Sequence, residues 1–389
     1  MKKQLLTSTA LVAAGVLAVS GPALAGKPKL SVGGGMTQIF GIGSNSDAFD
    51  AVNGSRVGFD QHSDGEIHFN GSVKLDNGIT IRSRIELEGN SLPQAGIGGN
   101  VSNGGQAAGT AEDFIDEHWM RIGGSFGEIR LGSGDPAAMA MTTGYLGTWS
   151  TGVGLLHAFD IGDWVSNPGT VAASTVGRVD LTSDAEHISY FTPRFSGFQA
   201  GVSYIPSTQE DVNNQRALTS AADTDGWSFG VNYVGKFSGV GVGVAAGYVT
   251  TNESTVDRDD AAAWGIAGRF DFQGFRIALS WVDRDPQATK STGVTAANGQ
   301  ETFEAGVRYS FGPNAFAVTY QDAQATGNAA ATQNDELQAM TLSYRRVLGP
   351  GVTFRVTGIH ADYDDGVAGA AAGNSNDGEA LTTSIHVRF

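Results

Sequence analysis

Apolar and polar residues alternate along most of the chain. In WSFGVNYV, Trp227, Phe229, Val231 and Tyr233 alternate with Ser228, Gly230 and Asn232. FRIALSWV sets Phe275, Ile277, Leu279 and Trp281 against Arg276, Ala278 and Ser280. TFEAGVRYS and ITIRSRIELEG repeat the pattern, the second with Arg82, Arg84, Glu86 and Glu88 on its polar side. A period of two marks a strand with one apolar and one polar face. About sixteen such strands are expected, near 29–42, 62–75, 79–89, 113–123, 128–133, 185–192, 198–205, 225–235, 239–250, 260–271, 275–284, 300–310, 315–323, 335–346, 352–363 and 379–389. The start is the least regular part. MTQIFGIG alternates poorly, and 50–61 reads equally as loop or strand.

The connections alternate as well. Short ones such as DNG, KFSG, FQG and LGPG are followed by long ones rich in Gly, Ala, Asn and Asp, the longest over 134–184. Antiparallel strands joined in this way carry all tight turns at one end and all loops at the other. The expected fold is therefore all-β: a transmembrane antiparallel β-barrel of about sixteen strands, with short periplasmic turns and long external loops.

Two details favour a membrane barrel over a soluble sandwich. Aromatics bracket the apolar faces: Trp264 and Phe270, Phe275 and Trp281, Phe303 and Tyr309, Phe198 and Tyr204. Six residues of strand span roughly 20 Å, close to the apolar band of about 25 Å between two aromatic girdles. The polar faces, in turn, carry consecutive charges, including Glu66, His68 and Lys74 beside the Arg82–Glu88 run. A dry interior could hold these only at a large desolvation cost, whereas a water-filled lumen holds them readily.

Composition agrees. Glycine is abundant (56) and proline scarce (10), and there is no cysteine, so thiol chemistry and disulfide scaffolds are excluded. The formal net charge of −16 argues against a nucleic-acid partner. Residues 1–25 read as a cleaved signal peptide, with Lys2 and Lys3 before the apolar LVAAGVLAV and the cleavage-site pattern PALA. Residues 26–389 would then form one barrel domain with a charge of −18. The last strand ends in SIHVRF, and Phe389 continues the apolar face on which Ile385 and Val387 lie. Such a strand is expected to pair with the first and close the barrel, leaving no open sheet edge.

The N-terminal signal, the hairpin DGEIHFNGSVKLDNGITIRSRIELEG (64–89), the segment WMRIGGSFGEIRLGSGD (119–135) and the terminal-Phe strand together resemble the Gram-negative general porins, in the form common among alphaproteobacteria. The resemblance implies a homotrimer in the outer membrane, in contact with lipid and lipopolysaccharide and passing small hydrophilic solutes. It implies that the assembly machinery reads the C-terminal strand through Phe389. It also implies that the third external loop, here 134–184, folds into the lumen as a constriction. Acidic residues on that loop, here Asp135, Asp160, Asp163, Asp180 and Asp184, would face basic wall residues, here Arg56, Arg82, Arg84 and Lys74. Opposed charges across a constriction orient permeating dipoles and set ion preference. The loop tip AMAMTTGYLGTWSTGVGLLHAFDIGDW departs from this pattern in being apolar and aromatic, which could plug the pore.

Other motifs read as ordinary structure. GVNYVGKF nearly fits a phosphate-binding loop but ends in Phe237, where the magnesium-binding hydroxyl should be. GGSFG matches a nucleophile elbow but sits in a turn between strands, not before a helix. GVGVGVAAG alternates as a strand with a smooth, small-residue inner side. The seven histidines form no zinc-spaced pair. DRDD and HADYDD read as solvated loop charge, with a loop-bound divalent cation such as Ca2+ the one cofactor to consider. The expected function is passive diffusion of ions and small hydrophilic solutes, with cation preference and no catalysis. A substrate-selective channel, with Tyr145, Trp149 and Trp164 as a track for sugars, is the alternative. An outer-membrane enzyme or secreted adhesin fits less of the pattern.

Overall fold

A computed structural model describes residues 26–55, 58–89, 115–154, 158–173, 177–208, 224–252, 260–285, 299–326 and 333–389. Sixteen strands close into one barrel: β1 (Lys29–Gly43), β2 (Asp60–Lys74), β3 (Thr80–Glu88), β4 (Ile115–Gly124), β5 (Gly127–Gly132), β6 (His187–Phe191), β7 (Phe198–Ser207), β8 (Thr224–Phe237), β9 (Val240–Asn252), β10 (Ala261–Phe272), β11 (Phe275–Asp285), β12 (Gln300–Phe311), β13 (Asn314–Ala325), β14 (Asp335–Gly349), β15 (Val352–Asp364) and β16 (Asn376–Arg388). Every strand is antiparallel to its neighbours in sequence, and β16 pairs with β1 from Gly35 opposite Arg388 to Gly43 opposite Ala380. Closure leaves no edge strand. Phe389 lies beside this seam, where its backbone exchanges hydrogen bonds of 3.0 and 3.1 Å with Gly34.

The weakly alternating MTQIFGIG lies wholly within β1, held by pairing on both sides. Within the ambiguous 50–61, the described residues include the end of a short helix, α1 (Asp47–Asn53), and the start of β2. Ser46 caps α1 by accepting from Phe49 N–H, and Asn376 at the head of β16 accepts from Ser46 N–H at 3.0 Å.

The tight turns depend on positive φ. Ser238 and Gly239 (47° and 90°), then Gln273 and Gly274 (48° and 87°), both have two left-handed residues in a row. That is the twist two-residue hairpins require.

The outward face is apolar and girdled. Near the tight turns Phe198 meets Tyr233 (4.8 Å), Phe275 meets Tyr309 (4.5 Å), and Phe311, Phe316 and Tyr344 continue the belt. Toward the loops Tyr204 meets Trp227 (5.1 Å), and Trp264 Nε1–H donates to Asp283. These amphipathic rings suit the membrane–water interface. The belt is confined to one side. No tyrosine precedes Tyr145, and the one tryptophan before that point, Trp119, faces the lumen beside Arg121.

Candidate pore constriction

The segment joining β5 to β6 lies inside the barrel. It contains α2 (Ala137–Thr142), a 3-10 turn (Thr143–Tyr145), α3 (Gly147–Thr151) and α4 (Ala158–Trp164). The segment follows the inner wall. α2 packs on β7, β8 and β9, and α3 on β10 to β13. Trp164 of α4 stacks on His62 of β2 at 4.7 Å.

The wall makes room by carrying small residues at inward positions. A methyl group at Gly243 would come within 2.6 Å of the Tyr145 ring, and one at Gly265 within 2.6 Å of Val179. The GVGVGVAAG run is thus not a smooth bare wall but part of a seat. The described part of the apolar tip does not stand in the lumen either. Met141, Leu146, Val153 and Trp164 are buried against the wall. Tyr145 lies under Arg269 (5.0 Å) and Trp149 under Arg178 (5.5 Å).

The first N–H groups of any helix have no acceptor within the helix, and Pro136 gives α2 no side-chain cap. Wall hydroxyls supply the partners. Ala137 N–H donates to Ser203 (2.7 Å) and Ala138 N–H to Ser228 (2.8 Å), from two different strands. At α3, Gly147 N–H donates to Ser280 (2.9 Å) and Thr148 N–H to the Glu304 carboxylate (3.2 Å). Glu304 is fully buried and also accepts from Ser280 Oγ at 3.0 Å. Carbonyls near the helix ends receive arginines: Arg269 donates to Gly144 O (2.9 Å) and Arg276 to Ser150 O (3.3 Å).

The acidic residues expected on the loop divide into two places. Asp135 and Asp184 meet Glu117 of β4 at the loop root, with carboxylate oxygens all within 4.8 Å. Burial pushes the Asp184 carboxyl up to about 8, and Asp116, Glu117, Asp135 and Asp180 add repulsion. Burial also raises Asp135, as does Glu117, while Arg178 and Arg130 act in the opposite sense. Asp180 is committed to its own turn, accepting from Thr182 N–H at 2.9 Å and Ser183 N–H at 3.2 Å. Asp163 lies elsewhere, 3.4 Å from His62. The Asp160 side chain is outside the described residues.

Of the expected basic residues, Arg56 is also outside the described residues. Arg82 and Arg84 occupy the inner face of β3. Arg84 donates to Glu86 (3.1 Å) and Asn70 (3.2 Å). Lys74 sits at the tight-turn end of β2, opposite Thr80 and away from the loop root.

The sequence reading missed Arg121 and Arg130, which continue the row: Arg82 is opposite Arg121, and Arg121 opposite Arg130. It also missed a second arc of Arg269, Arg276, Arg308, Arg345 and Arg355 on β10, β11, β12, β14 and β15. The signal was present, because each alternates with outward apolar residues. Arg276 and Arg308 were read as polar-face residues and given no role.

Ser133, His118 and Glu186 form a chain of polar contacts, with 3.1 Å from Ser Oγ to His Nδ1 and 3.4 Å from Nε2 to Glu. Ser133 is buried and accepts from His118 N–H at 2.8 Å, so the chain braces the loop root and presents no accessible nucleophile. Of the HADYDD acids, Asp364 accepts from Ser375 Oγ at 3.1 Å and Asp365 from Val367 N–H and Asn374 at 2.9 and 3.0 Å. Of DRDD, only Asp260 lies within the described residues.

Among solved structures the chain is similar to OmpF of Salmonella typhi in complex with daunomycin, with TM-score 0.60 and 12% identity over 93% of this chain and 98% of that one. It is similar to the anion-selective porin of Comamonas acidovorans, with TM-score 0.59 and 17% identity over 93% and 100%. OmpT of Vibrio cholerae, in its trimer form, gives TM-score 0.59 at 9% identity over 94% and 100%. At these identities the likeness is one of fold. No curated protein matches the chain. The family model described as Gram-negative porin matches residues 7–366. Matched over most of its length and folded as a closed sixteen-stranded barrel, the chain belongs to the Gram-negative porin family, non-catalytic β-barrels integral to the outer membrane.

Proposed function

We propose that the protein is a passive diffusion channel for ions and small hydrophilic solutes, with a preference for cations. The observation that carries this reading is the inner wall. One sector holds the loop flat through small residues and hydroxyl caps, and the other presents charged side chains that only water could solvate. The Asp135–Asp184–Glu117 group at the loop root and Arg82, Arg84, Arg121 and Arg130 on the adjoining strands would set a field across the opening. Overall acidity supports cation preference, and the arginine rows limit it. The sugar-track alternative loses support because Tyr145, Trp149 and Trp164 are each engaged in packing or under a cation.

The same reading takes the channel to be a homotrimer joined through the outward faces of β1 to β5. There the tyrosine–tryptophan belt is missing, Gln61 and Ser63 donate to Gln38 at 2.9 and 3.1 Å, and Gly71 lies opposite Ser83. The remaining surface would meet lipid and lipopolysaccharide, and Phe389 would be the residue read during assembly after removal of 1–25. The hairpin 64–89 and the segment 119–135 support the alphaproteobacterial form.

The test is single-channel conductance in a planar bilayer under a salt gradient. Long-lived openings in steps of three, with a reversal potential of cation sign, are expected. A reversal potential of anion sign overturns the preference, and folded protein without conductance overturns the diffusion reading.

A further inference from the structure

We propose that the inner wall of β2 and β3 carries a binding site for a divalent transition-metal ion of the zinc class, formed by His68, Glu66 and Glu86. Glu66 and His68 occupy successive inward positions of β2, and Glu86 lies directly opposite His68 on β3. His68 Nε2 is 2.9 Å from Glu66 Oε2 and 3.2 Å from Glu86 Oε2. One donor atom from each residue lies within 4.8 Å of the other two.

Three potential metal-ligand atoms converge here, one imidazole nitrogen and two carboxylate oxygens. A single imidazole nitrogen carries at most one proton, and here it faces two carboxylate oxygens at once. One linear N–H bond serves only one of them, and with His68 donating to Glu66 the Glu86 oxygen is left to Arg84 alone at 3.1 Å. A cation among the three atoms would serve all of them. Metal–ligand bonds of about 2.0–2.1 Å place neighbouring donors roughly 3 Å apart, and two of the three edges already have that spacing. The third, between the two carboxylates, closes by rotation of the Glu66 side chain, which is 39% exposed.

The surroundings resemble an outer shell. Arg84 donates to the same Glu86 oxygen at 3.1 Å and is itself steadied by Asn70 at 3.2 Å, and ligating carboxylates are ordinarily held by such partners. The Arg84 charge opposes a bound cation, and the carboxylate of Glu117, whose field reaches Glu86, offsets it. One imidazole and two carboxylates select zinc-class ions over magnesium and calcium, which take oxygen ligands throughout. The ligands face the lumen, so an ion reaches them from water.

The test uses folded, detergent-solubilised protein, titrated calorimetrically with ZnCl2 and separately with MgCl2. Co2+ absorption in the visible provides a second readout. Neither requires conduction, so a failure of the diffusion reading would leave this result intact. One saturable Zn2+ site per chain is expected, with a Co2+ band and no matching response to Mg2+. His68→Gln and Glu66→Gln should each weaken Zn2+ by about tenfold or more and remove the band, while His360→Gln, at an exposed position of β15, leaves both unchanged. Heat-modifiable migration identifies the folded variants, and either ligand variant suffices. Wild-type Zn2+ affinity in a folded ligand variant overturns the proposal, and so does an equal response to Mg2+.

Discussion

The inner surface of this barrel is two different walls built on one backbone repeat. On β7 to β13 the inward positions behind the loop are mostly small, such as Ser203, Ser228, Gly230, Gly243, Gly265, Ala278 and Ser280, with the buried carboxylate of Glu304 among them, and the arginines of the second arc donate to the loop from beside them. On β2 to β5 the inward positions include Glu66, His68, Arg82, Arg84, Glu86, Trp119, Arg121 and Arg130. The first wall accepts a segment of chain and caps its helices. The second is filled by its own side chains, which brace one another, as where Trp119 lies 3.8 Å from the Arg121 guanidinium. The contrast teaches that the position of the loop is decided less by the loop than by where the wall is short of side chain and supplied with hydrogen-bond partners.

The strongest way to break this contrast is to fill the seat. Gly230→Leu would drive a side chain into Ala137 and Met141, and overpacking of this kind costs about 1–3 kcal/mol. The expected result is a displaced loop, read as a change in unit conductance and new protease cleavage within 134–184. Unchanged conductance and cleavage would show that α2 does not depend on the seat.

Removing the caps is the next test. The double change Ser203→Ala and Ser228→Ala should loosen α2 by about 1 kcal/mol per cap, with faster amide exchange at Ala137 and Ala138 and an intact barrel.

On the charged wall, Arg82→Gln with Arg84→Gln should move the reversal potential further toward cations. If ion preference stays the same, these arginines are not in the current path.

The smallest expected effect is that of pH. The Asp184 carboxyl, raised to about 8, is protonated in the folded chain over a range where the unfolded chain has already ionised it. Folded protein therefore binds more protons between about pH 4 and pH 8, and stability from this group falls as pH rises through that window. Above about pH 8 the loop root gains a negative charge. If the proposed diffusion reading holds, the reversal potential should shift toward cations there in the native protein and stay level in Asp184→Asn.

The barrel was legible because period two survives in most strands and depends only on neighbours in sequence. Even the irregular MTQIFGIG lies almost wholly within the strand expected over 29–42, and β1 contains it. The seat was not legible. Alternation tells which residues turn inward and is silent about what covers them, so Gly243 and Gly247 read as bare wall. The contacts that give them meaning are remote: Ser203 is 66 residues from Ala137, and Glu304 is 156 from Thr148. The acids illustrate the same limit. Asp180 and Asp163 were visible as charge, but their commitments, to a turn and to His62, depend on the path of the chain.

The borrowed caps also bear on the order of folding. Helices of six and five residues have no stability of their own in water, since nucleation is costly and few bonds repay it. Their partners, Ser203, Ser228, Ser280 and Glu304, stand on four strands that come side by side only as the sheet assembles. The loop therefore acquires its shape after the wall that holds it. Any delay between closing the sheet and seating the loop would leave the bore wider than in the finished barrel.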